Sequence, residues 1–314
     1  MARPTRQPAS PCLTGSGIRY DCQEVLPVTV GAQVIRFRRA STPAIGRIYA
    51  VGDVHGRLDL FSRLMAIVKR DQVARLPVAT QVILLGDIVD RGPDSAAMVR
   101  GCMNLTAMSD RFVVLKGNHE EMMAEALGGN LTVYGHWLDF GGRETLLSWG
   151  VDRSVVYGPA TPDNLEVAAR VVGPDVIDWL GNLPLYHQHD SFLLVHAGIR
   201  PGVPLRKQNA EDLLWITNDF LESKVSHGMT VVHGHSINEG GPVIRSNRIG
   251  IDTGAYRTER LTALGIENSE TWTLNTTPPP RPASTTDDAA YAAYYQQGLS
   301  RAAGQGRPAS AGKA

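Results

Sequence analysis

The chain has 314 residues, of which 43% are hydrophobic and 20% are charged, as is usual for a soluble globular protein. Its 31 basic and 31 acidic residues cancel, which argues against a nucleic-acid-binding or membrane-surface protein, and no apolar run approaches the ~18 residues of a membrane span. The three cysteines are odd in number and show no metal-type spacing, so we expect a reducing interior rather than a disulfide framework.

Composition divides the chain into three segments. Residues 1–46 are rich in Pro, Ser, Thr and Arg and form an N-terminal extension that we predict to be partly disordered, with one apolar stretch, VLPVTVGAQVIRF, typical of a strand or hairpin. Residues 47–275 alternate strand and helix signals and are predicted to form one compact domain. Residues 276–314 are a low-complexity tail whose Pro, Ala, Gly and Ser content predicts disorder.

Five apolar runs within residues 47–275 end in polar side chains. The runs RIYAV, QVILL and RFVVL are each followed by a helical pattern, which predicts three β-turn-α units. Two later runs, SFLLV and TVV, are typical of buried strands. Because polar turns at the carboxyl ends of neighbouring strands lie at one edge of a sheet, these side chains can converge on one point. They are Asp53, His55, Asp87, Asn118, His196 and His235.

These six side chains are carboxylates, imidazoles and an amide, a ligand set that suits manganese, iron or zinc. Asp53 and His55 are two residues apart in an extended segment and therefore lie on the same side of it. Six ligands exceed what one four-coordinate ion accepts, so we predict two divalent ions with Asp87 between them. Each residue alone would more often be structural, and it is their joint pattern that indicates a metal site.

A family resemblance follows from the motifs. The blocks GDVHG, GDIVDRG and GNHE, in this order and spacing, resemble the signature of the PPP-type serine/threonine phosphatases, a branch of the calcineurin-like metallophosphoesterase superfamily. The later blocks HAGIRPG, HGHS and IDTGA…RLTA resemble bacterial and phage members most closely. The resemblance implies an α/β fold of two packed mixed β-sheets flanked by helices, and a cytoplasmic enzyme, for which a monomer is the default expectation.

The resemblance also implies a role for each position. Two ions, with manganese expected and iron or zinc as alternatives, would be held by Asp53, His55 and Asp87 on one side and by Asp87, Asn118, His196 and His235 on the other. His119 would be the general acid, oriented by Asp90, and Arg91 would bind phosphate oxygens. A hydroxide activated by the two ions would then hydrolyse phosphoserine and phosphothreonine monoesters of a phosphoprotein or phosphopeptide.

Two residues discriminate among branches of the superfamily. Asp90 favours a protein phosphatase, because the related symmetrical dinucleoside tetraphosphatases often lack the aspartate that partners the catalytic histidine. Ile237 ends the block GHSI where many nucleases carry a second metal-binding histidine, so a nuclease is not expected. A symmetrical dinucleoside-polyphosphate hydrolase, or another small-molecule phosphohydrolase, is the alternative function.

Thr217 departs from the bacterial pattern, in which a block resembling LLWIR supplies a second phosphate-binding arginine. A guanidinium that bonds two phosphate oxygens cannot be replaced by one hydroxyl, so weaker phosphate binding is expected. This departure keeps open a second alternative, a weakened enzyme that acts as a phosphoprotein-binding module. Candidates to replace the missing arginine are Arg200, Arg206 and Arg257.

Trp137 and Trp149 lie in the segment HWLDFGGRETLLSWG, which resembles the family's insertion beside the substrate groove. We expect both indoles to be packing residues of the interior.

Overall fold

The computed structural model describes residues 25–30, 33–38 and 45–277. The predicted disorder of residues 1–24 and of residues 278–314 lies outside these ranges, and the division into three segments stays a prediction. Strands β1 (Val25–Val30) and β2 (Gln33–Arg38), which come from the apolar stretch VLPVTVGAQVIRF and the residue after it, pair antiparallel.

The described part of the domain contains ten further strands in two five-stranded sheets. The first sheet has the order β12-β11-β3-β4-β5, and the second has the order β6-β7-β8-β10-β9. The strands are β3 (Arg47–Val51), β4 (Thr80–Leu84), β5 (Phe112–Val114), β6 (Tyr186–His189), β7 (Phe192–Val195), β8 (Thr230–His233), β9 (Val243–Ile244), β10 (Arg248–Gly250), β11 (Thr262–Glu267) and β12 (Glu270–Asn275).

Within the described ranges no helix is both long and apolar enough to cross a membrane. A π-helical turn at Leu138–Gly142 joins α4 to α5, and a 3₁₀ turn lies at Leu205–Lys207. The helices are α1 (Leu58–Ala74), α2 (Ser95–Met108), α3 (Asn118–Leu127), α4 (Leu131–Trp137), α5 (Arg143–Ser148), α6 (Arg153–Val156), α7 (Pro162–Val172), α8 (Pro174–Gly181), α9 (Ala210–Trp215), α10 (Asn218–Leu221) and α11 (Ala255–Thr258).

Alternation along β3 explains how the sheets pack. Successive side chains of a strand point to opposite faces. Ile48 and Ala50 face the second sheet and pack with its residues, including Leu194. Tyr49 and Val51 face the helices on the other side of the first sheet. A third apolar cluster joins the outer face of the second sheet to α9 and α10. Two packed mixed sheets flanked by helices result, which confirms the predicted fold.

Parallel pairing sets the position of the polar strand ends. Strands β3, β4 and β5 run parallel in the first sheet, as do β7 and β8 in the second. The three predicted β-turn-α units are confirmed, since α1, α2 and α3 follow β3, β4 and β5. One boundary differs from the prediction: α3 begins at Asn118, so Asn118 lies in its first turn rather than in the polar turn after β5. The carboxyl ends of these strands, from both sheets, meet at one site.

Candidate active site

The predicted metal-binding side chains gather around Asp87, which directly follows β4. A first group consists of His55, Asp87 and His119, and a second group consists of Asp87, His196 and His235. Within each group the potential ligand atoms lie within 4.8 Å of one another. Asp87 belongs to both groups, which is the arrangement that a shared ligand requires.

The two carboxylate oxygens of Asp87 face different groups. Oδ2 lies 3.6 Å from His55 Nε2 and 3.9 Å from His119 Nε2. Oδ1 lies 3.4 Å from His196 Nε2. Burial opposes ionisation of Asp87, but the surrounding imidazoles outweigh burial and hold its pKa below the usual range. An ionised carboxylate therefore stands between two sets of ring nitrogens.

Backbone carbonyls orient two of the imidazoles toward Asp87. His55 Nδ1 lies 2.8 Å from Val89 O, and His196 Nδ1 lies 3.0 Å from Leu85 O. A carbonyl only accepts, so Nδ1 carries the proton in each ring and Nε2 presents a lone pair to the site. Burial lowers the pKa of His55 to about 3 and also lowers that of His196, which keeps both rings neutral. Neutral rings with inward lone pairs fit divalent metal ions.

Asn118 lies with the second group. Its Oδ1 is 2.7 Å from His196 Nε2 and 3.1 Å from His235 Nδ1. The Nε2 of His196 is an acceptor, so an oxygen and a nitrogen lone pair face each other, an arrangement that a cation would satisfy. Burial lowers the pKa of His235 to about 4, so this ring too is neutral near pH 7. The structure thus brings Asn118, His196 and His235 together as predicted.

Asp53 lies beside these groups without belonging to either. Its two oxygens accept from the backbone N–H of His235 at 3.2 and 3.0 Å. The Asp53 carboxyl also shares a hydrogen bond with Asp252, a buried residue that sequence reasoning missed. Burial, followed by the charges of Asp252 and Asp87, raises the pKa of Asp53 well above its usual range. Asp252 follows β10, so the rule that located the other strand-end residues could have found it.

Backbone conformation marks the same site. Eight described non-glycine residues have a positive φ, a region that L-residues seldom adopt. Five of the eight are predicted site residues, and such strain concentrates where a fold positions functional groups. These five are His55, Asp87, Asp90, Arg91 and His235.

Glu120 ties the turn after β4 to the first turn of α3, a role that sequence reasoning missed. It is fully buried, and its Oε2 accepts from the N–H groups of Asp87 at 2.7 Å and of Gly117 at 2.8 Å. Its Oε1 accepts from Ile88 N at 2.8 Å. A Cβ on Gly117 would collide with Asp87 Oδ1, so glycine is required at this position. A glutamate three residues after the helix N-cap is a capping-box signal and could have been recognised.

His119 and Asp90 form a buried pair at the first group. His119 Nδ1 lies 2.6 Å from Asp90 Oδ2, so the ring donates to the carboxylate and presents Nε2 toward Asp87. Burial acts to lower the pKa of His119, but the carboxylates of Asp87 and Asp90 outweigh it and raise the pKa above the ordinary imidazole value.

Trp137 and Thr145 hold Asp90 in place. The Trp137 indole N–H donates to both Asp90 oxygens, at 3.1 and 2.9 Å, and the Thr145 hydroxyl donates to Oδ1 at 2.6 Å. Asp90 and Trp137 are fully buried. Trp137 is therefore a packing residue, as expected, and in addition a hydrogen-bond donor to the partner of His119. The sequence separation of 47 between Trp137 and Asp90 explains why local sequence patterns could not reveal this bond.

Arg91 lies across the first group. Its Nη1 donates to His55 Nε2 at 2.9 Å, and its Nη2 lies 3.0 Å from His119 Nε2. The other candidate arginines for which the structure shows partners are bound elsewhere. Arg200 forms ion pairs with Asp212 and Asp219, and Arg257 pairs with Glu239 at 2.8 Å. Thr217 itself is exposed.

Comparison with known proteins identifies the family of the chain and several similar proteins. Residues 46–263 match the family model described as calcineurin-like phosphoesterase. The chain is similar to the symmetrical bis(5'-nucleosyl)-tetraphosphatase of Acidovorax sp. (strain JS42), with 31% identity over 49% of this chain and 44% of the relative, so it spans less than half of that protein. It is also similar to the asymmetrical bis(5'-nucleosyl)-tetraphosphatase PrpE of Bacillus thuringiensis (strain Al Hakam), with 27% identity over 70% of this chain and 91% of the relative.

Similar solved structures include a candidate diadenosine tetraphosphatase, with a TM-score of 0.49, 19% identity, and coverage of 75% of this chain and 96% of that chain. Another is a protein serine/threonine phosphatase from Saccharomyces cerevisiae, with a TM-score of 0.46, 15% identity, and coverage of 78% and 83%. The family model covers well over half of the chain and every predicted site residue. The chain is a member of the calcineurin-like phosphoesterase family and a metallophosphoesterase.

Proposed function

We propose that the protein hydrolyses phosphoanhydride bonds of dinucleoside polyphosphates, the alternative of the sequence analysis, in preference to phosphoserine and phosphothreonine esters. The names of the similar curated proteins support this proposal, including a relative that is matched over 91% of its length. Within the site, the observation that supports the proposal is the number of arginines placed to bind phosphate. Of Arg91, Arg200 and Arg257, only Arg91 contacts predicted site residues.

The charge on the reacting phosphate group, rather than on the whole substrate, decides how many guanidinium groups must bind that phosphate. A terminal phosphomonoester carries a charge of about −1.5 to −2 near pH 7, whereas an internal phosphate of a polyphosphate chain carries one negative charge. Charge-assisted bonds from a second arginine therefore matter more for the monoester. A site with Arg91 on one side and Thr217 in place of the second arginine suits the internal phosphate better.

Two divalent ions would be held by the residues gathered around Asp87, and manganese is proposed. When bound, the ions would activate water at neutral pH and stabilise charge on the phosphate. The neutral rings of His55 and His196, with inward Nε2 atoms, fit this role, as does the central carboxylate. The proposed ligands are Asp53, His55 and Asp87 for one ion, and Asp87, Asn118, His196 and His235 for the other.

His119 is the proposed proton donor. Because Asp90 holds its Nδ1, the acidic proton would be donated from Nε2, the atom that faces Asp87 and Arg91. The raised pKa of His119 keeps this proton available near neutral pH. Arg91 would bind the phosphate oxygens beside it.

Product analysis tests the proposal. Metal-stripped protein is reconstituted with Mn²⁺ and incubated with diadenosine tetraphosphate, and the nucleotides are separated by ion-exchange chromatography. The expected result is Mn²⁺-dependent release of either two ADP or ATP and AMP, which is lost in Asp87→Asn and kept in the exposed control Asp139→Asn. A wild-type enzyme that leaves the dinucleotide intact contradicts the proposal.

A serine/threonine protein phosphatase is the second candidate, and the pair of His119 and Asp90 favours it. The serine or threonine alkoxide is a poor leaving group, so protonation by a positioned acid should raise the hydrolysis rate of the ester about 10²–10⁴-fold. A departing phosphate is a better leaving group, so protonation raises the rate of phosphoanhydride hydrolysis less. The buried bond of 2.6 Å between the two residues is well suited to that demand. A loss in His119→Asn that is at least tenfold larger on a phosphothreonine peptide than on the dinucleotide, together with faster wild-type turnover of the peptide, would establish this candidate.

A further inference from the structure

Two aromatic side chains border the site at different groups. The centroid of the Trp215 ring lies 6.4 Å from that of His235, with 81° between the ring planes. The centroid of the Tyr256 ring lies 5.3 Å from that of His55, at 83°. His235 belongs to the second group and His55 to the first, with Asp87 shared between them. The two rings, here called the aromatic pair, therefore flank the candidate metal centre.

Trp215 is held in place while remaining accessible. It ends α9, whose preceding residues Leu213 and Leu214 are buried, and its indole N–H donates to Glu121 Oε2 at 2.8 Å. The residue is nevertheless 38% exposed. Tryptophan is usually well buried, so a fixed and accessible indole beside the candidate active site offers an aromatic face to a ligand at little ordering cost.

Tyr256 is partly buried on the side of Arg91. The guanidinium carbon of Arg91 lies 4.8 Å from the centroid of the Tyr256 ring. A phosphate bound by Arg91 would thus lie near this ring, and so would the group attached to that phosphate.

The surroundings of Trp215, beside the second group, differ in charge from those of Tyr256. Thr217, two residues after Trp215, is exposed and stands where the family resemblance predicts an arginine. At this end Arg200 is paired with Asp212 and Asp219, and among the described residues no arginine is bonded to His235 as Arg91 is bonded to His55.

We propose that the aromatic pair binds the two nucleobases of a dinucleoside polyphosphate by stacking, with Trp215 and Tyr256 each serving one end of the substrate. This inference rests on the proposed function and specifies how its substrate is selected. Bases stack on aromatic side chains with little regard to sequence, because every base presents a π-face. The phosphate chain would lie between the two rings, across the groups that share Asp87.

The test measures kcat/KM for diadenosine tetraphosphate and for inorganic tripolyphosphate, which has no base. Trp215→Leu and Tyr256→Leu should each lower the ratio of the two values by about 5- to 100-fold, as expected for loss of one stacked base. Trp215→Phe and Tyr256→Phe should restore most of the ratio, because they keep an aromatic ring. Tyr157→Leu is the matched control: Tyr157 is 53% exposed and packs near Arg143 and Arg153, and its ratio should not change.

The outcomes separate this inference from the proposed function. A wild type that cleaves the dinucleotide, with Leu variants whose ratio is unchanged, overturns the stacking role alone. Equal losses on both substrates also overturn it, since they indicate damage to the phosphate site. A wild type that cleaves tripolyphosphate but ignores the dinucleotide overturns the proposed function and this inference together. Circular dichroism of each variant identifies misfolding, and a misfolded Leu variant is replaced by Trp215→Gln or Tyr256→Gln, which also lacks a ring and whose ratio should fall by the same factor; an unchanged ratio in a folded Gln variant overturns the stacking role.

Discussion

The hydrogen bond from Trp137 to Asp90 should stabilise the fold, and Trp149, a second buried tryptophan without such a bond in the described part of the chain, provides the control. Trp137→Phe removes the indole N–H that donates to both Asp90 oxygens in a fully buried setting. Trp149→Phe removes the same atoms from a residue that is 7% exposed and whose indole N–H has no hydrogen-bond partner among the described residues. The two substitutions therefore share a loss of packing and differ in the hydrogen bond.

The magnitudes follow from burial and bonding. Lost packing should cost each variant about 1–2 kcal/mol of unfolding free energy. Trp137→Phe also loses a bond to a charged acceptor, about 1.5–3 kcal/mol, for a total of about 3–5 kcal/mol. Trp149→Phe relieves the burial of an unpaired donor, which offsets about 1–3 kcal/mol of its loss and brings its change close to zero.

Urea unfolding of both variants and the wild type, followed by circular dichroism, measures this difference. The gap between the two variants should be at least about 2 kcal/mol, with a matching gap of about 4–8 °C or more in Tm. Equal destabilisation of the two would refute the reasoning, because it would mean that the bond to Asp90 contributes nothing beyond packing.

Three further substitutions test the site. Asp90→Asn removes a carboxylate that raises the pKa of His119, so the basic limb of the pH profile of kcat/KM, along which His119 loses its proton, should move to lower pH; an unmoved limb would exclude His119 as the acid. Thr217→Arg should raise kcat/KM on a phosphothreonine peptide at least tenfold, equivalent to ~1.4 kcal/mol, in steady-state assays; no gain would mean that the missing arginine is not limiting. Asp87→Asn should lower bound Mn²⁺, measured by mass spectrometry of the dialysed protein, from two ions to fewer than one, whereas two retained ions would remove Asp87 from the shared position.

The repeated pattern of an apolar strand followed by a helix was sufficient to predict the part of the fold that contains β3, β4 and β5. The runs that became β3, β4 and β5 are each followed by a helix, and parallel pairing of such units follows from their connection. Helix boundaries were harder: α3 begins at Asn118, where the Glu120 carboxylate accepts from the N–H of the preceding residue, Gly117. The expected cytoplasmic location and monomeric state stay predictions.

The site was predicted where its residues end strands, and missed where they meet through tertiary contacts. His196 and Asn118 come together because strands from two sheets share one edge, a consequence of the fold that the motifs indicated. Trp137 reaches Asp90 from a different part of the chain, and no local pattern specifies such a contact. Asp252 was detectable, since it follows β10 as the predicted site residues follow their strands.

Substrate preference was the least predictable property, because few residues separate the branches of this family. Asp90 favours a protein phosphatase, whereas Thr217 and the names of the similar curated proteins favour a dinucleoside polyphosphate. Either substrate class would use the proposed groups around Asp87, so the motifs that identify the family do not distinguish them.

The central claim is tested most directly by one ratio, kcat/KM for diadenosine tetraphosphate divided by kcat/KM for a phosphothreonine peptide, both measured with the Mn²⁺-reconstituted wild type. We expect a ratio of at least ten, with both activities reduced in His119→Asn. A ratio well below one, with turnover of the peptide dependent on Mn²⁺ and His119, would contradict the account and make the protein a protein phosphatase.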